Sequence, residues 1–375
     1  MLDERLDPTV RALCLASRTT PSSAAIADLR AIGPIIDWIR LAALGHLHDV
    51  LPLLARSIPA AFEADDPPAG WIGAALRRRH ATARRNGELA AELGRVLVAF
   101  DTDGIVVVPV KGLVIADWAY DDLAARPAAD LDILVRSQDL PRARDILRDL
   151  GYGQPSAATF TTLVHEFHDP PWYVGDGRQQ IQLELHWGLW SDRFARIPIE
   201  AIWGRTATRR FLGRPTRLLS AEDTILHLAI HRSRSPLRLR WVVDVAEAAE
   251  RNGSEIDWTA LVERARLGGA ATATWVVLEL AGRLLDAAIP ETAIRALRPG
   301  RMHRAILDRT CGATAMFRPT DSLDQQPHLT LRVFEQDDAG AVAAALGSSV
   351  RRSTRRILHE RGIRTVRKVP AAARD

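Results

Sequence analysis

The chain has 375 residues, 47% of them apolar, which supports packed cores in two or three domains and excludes a disordered protein. Its net charge of +4 is local: residues 351–375 hold nine Lys or Arg against two acids, a balance of +7, which leaves −3 for the other 350 residues. The two cysteines, Cys14 and Cys311, lie far apart, which excludes a disulfide framework or a zinc ribbon and suits a reducing cytoplasm. The N-terminus carries Asp3, Glu4 and Asp7 with no apolar run behind them, so no signal peptide is expected, and no apolar stretch is long enough to span a membrane.

Residues 1–60 read as short helices punctuated by Pro21, Pro34, Pro52 and Pro59. A loop over 63–68 leads to a longer helix near 71–100, Arg-rich early and apolar at Leu89, Leu93, Val96 and Leu97. The pattern then turns to strands. The all-apolar run 105–110 predicts a buried strand and 112–120 a helix. A strand is expected at 130–135, a helix at 140–150 ended by Gly151, and a strand at 180–187 with clean alternation. Segments 209–212 and 216–219 around Gly213, Arg214 and Pro215 suggest a hairpin. Helices follow near 221–233, 238–250, 257–267, 269–286 and 290–298, with a Ser220 N-cap and Asp223 three residues on as a near capping box. Residues 313–328 read as a loop and 339–358 as a last helix. The fold class is therefore α+β: a small mixed β-sheet core over 101–219, an N-terminal helical region over 1–100, a C-terminal helical region over 220–350, and a basic tail over 351–375.

Asp130-Leu131-Asp132 is the most informative stretch. Alternation along a strand puts Asp130 and Asp132 on one face, about 7 Å apart, where they repel each other unless a cation intervenes. Hard divalent ions such as Mg²⁺ take such oxygen ligands, and paired ions serve phosphoryl and nucleotidyl transfer. The chain uses Arg 48 times and Lys only twice, at Lys111 and Lys368. Lys111 stands before Gly112 at a strand-to-helix turn, where an ammonium can meet a phosphate and glycine lets the backbone approach. Glu184 shares its strand face with His186, and a third carboxylate there would complete a two-ion site. Arg126 would bind phosphate or pair with the aspartates. His186 is placed with Lys111, Gly112 and Arg126 on the nucleotide.

His227 and His231 lie at i and i+4 without an HExxH glutamate or nearby cysteines, so core or acceptor-pocket histidines are expected rather than a zinc pair. Arg240 and Asp244 are spaced for an ion pair on one helix face, and Trp241 for an acceptor pocket. The basic tail lacks aromatic residues, so nucleic acid is the lesser reading of it.

Three stretches together resemble the uncharacterised bacterial nucleotidyltransferase family of the polymerase β-like superfamily: Pro109-Val110-Lys111-Gly112, Arg126-Pro127 through Asp130-Leu131-Asp132-Ile133-Leu134-Val135, and Leu183-Glu184-Leu185-His186-Trp187. The stretch from Leu218 to Asp223 with His227, Leu239-Arg240-Trp241 and Asp244 is similar to that family's helical half. The resemblance implies that Asp130, Asp132 and Glu184 are catalytic and hold Mg²⁺. It implies transfer of a nucleoside monophosphate from an NTP such as ATP to a hydroxyl or phosphate of a small-molecule or peptide acceptor. Where the superfamily has Gly-Ser after the first strand this chain has Lys111-Gly112-Leu113, so the resemblance does not carry over the triphosphate contacts or the identity of the donor. Two alternatives stand beside this: a non-catalytic nucleotide- or partner-binding module on the same scaffold, and an RNA-directed nucleotidyltransferase.

Overall fold

A computed structural model describes residues 6–62, 67–154, 170–190, 195–235, 237–317 and 337. The basic tail and the helix expected over 339–358 lie outside the described residues.

The chain opens with four short helices, α1 (Pro8–Ala16), α2 (Ser23–Ile32), α3 (Trp38–Leu47) and α4 (Leu51–Ala61). Asp7, Ser22 and Asp37 cap the first three by accepting from backbone N–H groups, as short polar side chains do at N-caps. The long helix α5 (Ala69–Thr102) follows, then β1 (Val108–Val110), α6 (Gly112–Trp118), β2 (Leu131–Leu134), α7 (Leu140–Asp149), β3 (Trp172–Val174) and β4 (Ile181–His186). After α8 (Ile199–Arg205) comes a hairpin of β5 (Ala207–Phe211) and β6 (Arg214–Leu218). The helices α9 (Ala221–Arg234), α10 (Leu239–Asn252), α11 (Trp258–Leu267), α12 (Ala271–Leu285), α13 (Glu291–Leu297), α14 (Arg301–Thr310) and α15 (Ala313–Met316) complete the described chain. This is the mixed α+β architecture that the residue patterns predict.

The main sheet has the order β1-β2-β4-β3. β1 runs antiparallel to β2, β2 parallel to β4, and β4 antiparallel to β3. One face is covered by α5 and α7: Leu89, Leu93, Val96 and Phe100 pack with Leu131, Ile133, Leu183, Leu185, Ile146 and Leu147. On the other face Val108, Val110 and Leu134 pack with Trp190, Trp203 and Ile230 of α9. The N-terminal helices and the helices from α9 onward share one further apolar core, with Leu13, Leu54 and Ile58 in the same cluster as Ile225, Val242 and Leu278. The helices after the hairpin thus close over the sheet face that carries the polar residues.

Several elements differ from expectation. β3 went unpredicted because Trp172-Tyr173-Val174 is too short for a period to show. The hairpin turns at Leu212 and Gly213, both at positive φ (48° and 80°), rather than at 213–215. That geometry matches strand twist in two-residue hairpins. Pro215 lies within β6 opposite Arg210, tolerated because the hairpin is a two-stranded sheet with an open edge. Ser220 caps α9 by accepting from Asp223 N–H, but the Asp223 carboxylate does not reach back; Arg205 holds it with bonds of 2.7 and 3.0 Å. Part of the segment expected as loop, Ala313–Met316, is a helical turn.

Candidate active site

The site is built on the central parallel pair. Asp132 stands opposite Glu184 in the β2–β4 register, and Leu134 opposite His186. Residues paired across a ladder share a face, and positions two apart along a strand do too, so Asp132, Glu184 and His186 project together. Each offers a ligand atom, all within 4.8 Å of one another. Among the described residues, this is the group that could hold a metal ion.

Hydrogen bonds knit the group. Lys111 Nζ donates to Asp132 Oδ1 at 2.7 Å, and His186 Nε2 lies 2.9 Å from the same oxygen. His186 Nε2 is also 3.4 Å from Glu184 Oε2, and Gln182 Nε2 donates to Glu184 Oε1 at 3.3 Å. Burial opposes ionisation of Asp132, but the Lys111 charge and the His186 hydrogen bond outweigh it and hold the carboxyl well below its usual range. Burial likewise opposes charge on Lys111 and His186, and the carboxylates raise both above their ordinary values.

Asp130 stands just outside the three-residue cluster. Burial, then the charges of Asp132 and Glu184, push its carboxyl up to about 6. Asp130 and Asp132 also line one small recess with Pro109, Val110, Leu113 and Leu131. Burial is the larger cause and the neighbouring acids add to it, so positive charge placed beside Asp130 would favour its ionised form. The donor set of two or three carboxylates and an imidazole therefore fits a divalent ion.

Lys111 has φ 55° and ψ −141°, outside the regions that side chains prefer. Such strain persists where surrounding structure imposes it and concentrates at functional positions. Here the turn between β1 and α6 imposes it. Gly112 has φ 21°, and a Cβ there would come within 3.4 Å of the Asp130 carbonyl, so the turn and the aspartate loop are in close contact.

Arg126 sits elsewhere than expected. Its guanidinium makes a two-bond pair with Asp244 of α10, Nε–Oδ1 2.8 Å and Nη2–Oδ2 2.9 Å, and donates to the Gly112 carbonyl at 3.2 Å. It is 3% exposed and Asp244 is fully buried. Tyr120 also donates to Asp244 Oδ1, at 2.7 Å. Arg126 thus ties the aspartate loop and the Lys111-Gly112 turn to the C-terminal helices. Asp244 being taken, Arg240 does not pair with it. Arg240 pairs with Asp49 at 3.2 Å and lies 4.2 Å over the Trp241 ring.

Asn86, which sequence reading passed over, holds the same loop from the other side. Buried on α5, it donates to the Leu123 and Arg126 carbonyls and accepts from Ala128 N–H. Its one visible signal is an uncharged polar residue in the stretch where α5 turns from Arg-rich to apolar. His186 was set on the nucleotide by sequence; in the fold it bridges the two carboxylates.

No curated protein matches the chain. Among solved structures, a crystal structure of ANT(2'')-Ia in complex with adenylyl-2''-tobramycin shares 18% identity, covering 47% of this chain and 95% of its own, with a TM-score of 0.34. A solution structure of the same antibiotic-resistance factor shares 17% identity, covering 46% of this chain and 90% of its own, with a TM-score of 0.32. The model of a family described as uncharacterised nucleotidyltransferases matches residues 34–286, a span that contains α5, the whole sheet and the acidic cluster, and the chain belongs to that family.

Proposed function

We propose that this enzyme transfers a nucleoside monophosphate from an NTP, ATP among them, to a hydroxyl or phosphate of a small-molecule or peptide acceptor with the help of Mg²⁺. The observation that carries this reading is the register of Asp132 with Glu184, which joins two strands' carboxylates and the Lys111 ammonium in one cluster. Asp130, Asp132 and Glu184 would hold a divalent ion, which supplies a Lewis acid for the phosphates when bound. Lys111 would turn from Asp132 to the triphosphate, where a compact cation on a flexible stem suits a phosphate oxygen. Gly112 would let the backbone come close. Among the described residues no helix is long and apolar enough to cross a membrane.

The test is mass spectrometry of products after incubation with each NTP, Mg²⁺ and a set of acceptors. Pyrophosphate release with an acceptor gaining one nucleoside monophosphate supports the reading. NTP binding without turnover under any of these conditions supports a binding module on the same scaffold instead.

A further inference from the structure

His227 of α9 is 4% exposed, and neither of its ring nitrogens has a hydrogen-bond partner. A buried donor and acceptor left unmatched cost stability, and native proteins keep such groups rarely and for a reason. Rings surround this one. Trp190 lies 5.7 Å away by ring centroid and His231 6.2 Å, and His231 meets the edge of Trp241 at 4.9 Å. Residues three and four apart on a helix share a face. Ile230 packs in the apolar cluster of Val108, Val110, Leu134 and Trp190, so His227 is turned toward the sheet face that carries Asp132, Glu184 and His186. Burial first, then the nearby positive charge of Lys111, holds the imidazole neutral, well below its ordinary pKa.

We propose that His227 binds the attacking group of the acceptor, and that this group is an alcohol hydroxyl rather than a phosphate. The inference rests on the nucleotidyl-transfer reading above. A neutral imidazole presents one N–H donor and one lone pair, and a hydroxyl presents the complementary acceptor and donor. A phosphate presents only acceptors and charge, for which guanidinium or ammonium partners are the match; the ring offers it one donor, and the nearby Lys111 ammonium is engaged with Asp132 and, in the reading above, with the triphosphate of the donor. In the transfer the alcohol oxygen bonds to the α-phosphorus and the bond from that phosphorus to the α,β-bridging oxygen of the NTP breaks. Pyrophosphate leaves with the electron pair and the hydroxyl proton goes to water. His227 orients the hydroxyl and is not consumed.

The experiment uses the full chain with Mg²⁺ and each NTP in turn. Glycerol is the alcohol probe and ³²P-labelled inorganic phosphate the phosphate probe. The parent is compared with His227→Phe, which keeps a ring and removes both nitrogens, and His227→Asn, which keeps a donor and an acceptor. The parent should form nucleotidyl-glycerol and leave the label out of NDP. His227→Phe should form at least about tenfold less nucleotidyl-glycerol per NMP released to water, with Mg²⁺–NTP affinity changed less than about twofold and a Tm no lower than the parent's. His227→Asn should recover part of the loss. An unchanged ratio in His227→Phe, a lowered Tm, a parallel loss of NTP affinity, or label in NDP would each overturn the proposal. So would a parent that releases pyrophosphate yet forms no nucleotidyl-glycerol. A parent that neither binds nor cleaves any NTP would instead overturn the nucleotidyl-transfer reading, and this inference with it.

Discussion

Lys111 Nζ lies 2.7 Å from Asp132 Oδ1, the same oxygen that His186 Nε2 approaches at 2.9 Å. The charge of Asp132 is thus already met from within the chain, by an ammonium and an imidazole, while Asp130 still feels the neighbouring acids. A divalent ion arriving at Asp132 must compete with Lys111. Replacing Lys111 with Ala should therefore strengthen Mn²⁺ binding without nucleotide, because a competing cation is removed. The same variant should weaken NTP binding at saturating Mg²⁺ by about 1.5–3 kcal/mol, the range for a charged hydrogen bond. Lys111→Arg should recover only part. Isothermal titration with Mn²⁺ alone and with NTP separates the two effects, and NTP affinity unchanged in Lys111→Ala would leave the lysine as a charge-balancing residue.

Asp132→Asn should abolish transfer. It should also lower metal-free stability, on the order of 1–3 kcal/mol, because Lys111 and His186 would lose the carboxylate they share. Activity and calorimetric melting check the two parts. Turnover retained in Asp132→Asn would show that the acidic cluster is structural.

The buried Arg126–Asp244 pair gives a different pattern. Removing one partner of a buried ion pair strands the other charge, at a cost of about 3–5 kcal/mol. Arg126→Ala and Asp244→Ala should therefore lower urea stability by similar amounts. Arg126→Lys should not restore it, since a two-bond guanidinium geometry cannot be copied by an ammonium. Normal stability in Arg126→Ala with a raised KM for NTP would return Arg126 to the phosphate.

The strand core was legible because its signals are local. Alternation at residues 181–186 and the apolar residues on either side of Asp132 show which side chains share a face within each strand; that Asp132 stands opposite Glu184 is set by the β2–β4 register, which no local pattern encodes. The pairing of Arg126 with Asp244 was not legible because the partner lies 118 residues away. A buried arginine and a phosphate-binding arginine look alike in sequence, and only packing against α10 separates them. The same holds for Asp244, spaced for Arg240 on its own helix yet taken by Arg126. Asn86 and the unpartnered state of His227 depend on what surrounds them in three dimensions, which no period or motif encodes.

His48 offers a test of the shared helical core. It is fully buried, and its Nδ1 accepts from Leu239 N–H at the start of α10. Burial first, then the Arg238 charge, lowers its pKa from 6.5 to about 4. Between those values the unfolded chain binds a proton that the folded chain refuses, so stability should fall as pH drops from 6.5 toward 4. The loss should reach roughly 3 kcal/mol across that window. His48→Asn keeps an acceptor for Leu239 and does not titrate there, so it should flatten this part of the profile. A profile of the same slope in parent and variant, measured by urea unfolding at several pH values, would place the acid sensitivity in other groups.

If the cluster around Asp132 and Glu184 is the metal and nucleotide centre, anomalous diffraction from crystals soaked with Mn²⁺ and a non-hydrolysable NTP analogue should show manganese density bounded by Asp130, Asp132 and Glu184, with Lys111 Nζ moved from Asp132 to a phosphate oxygen. Manganese and nucleotide bound elsewhere, with Lys111 still on Asp132 and no density at the acidic cluster, would contradict that assignment.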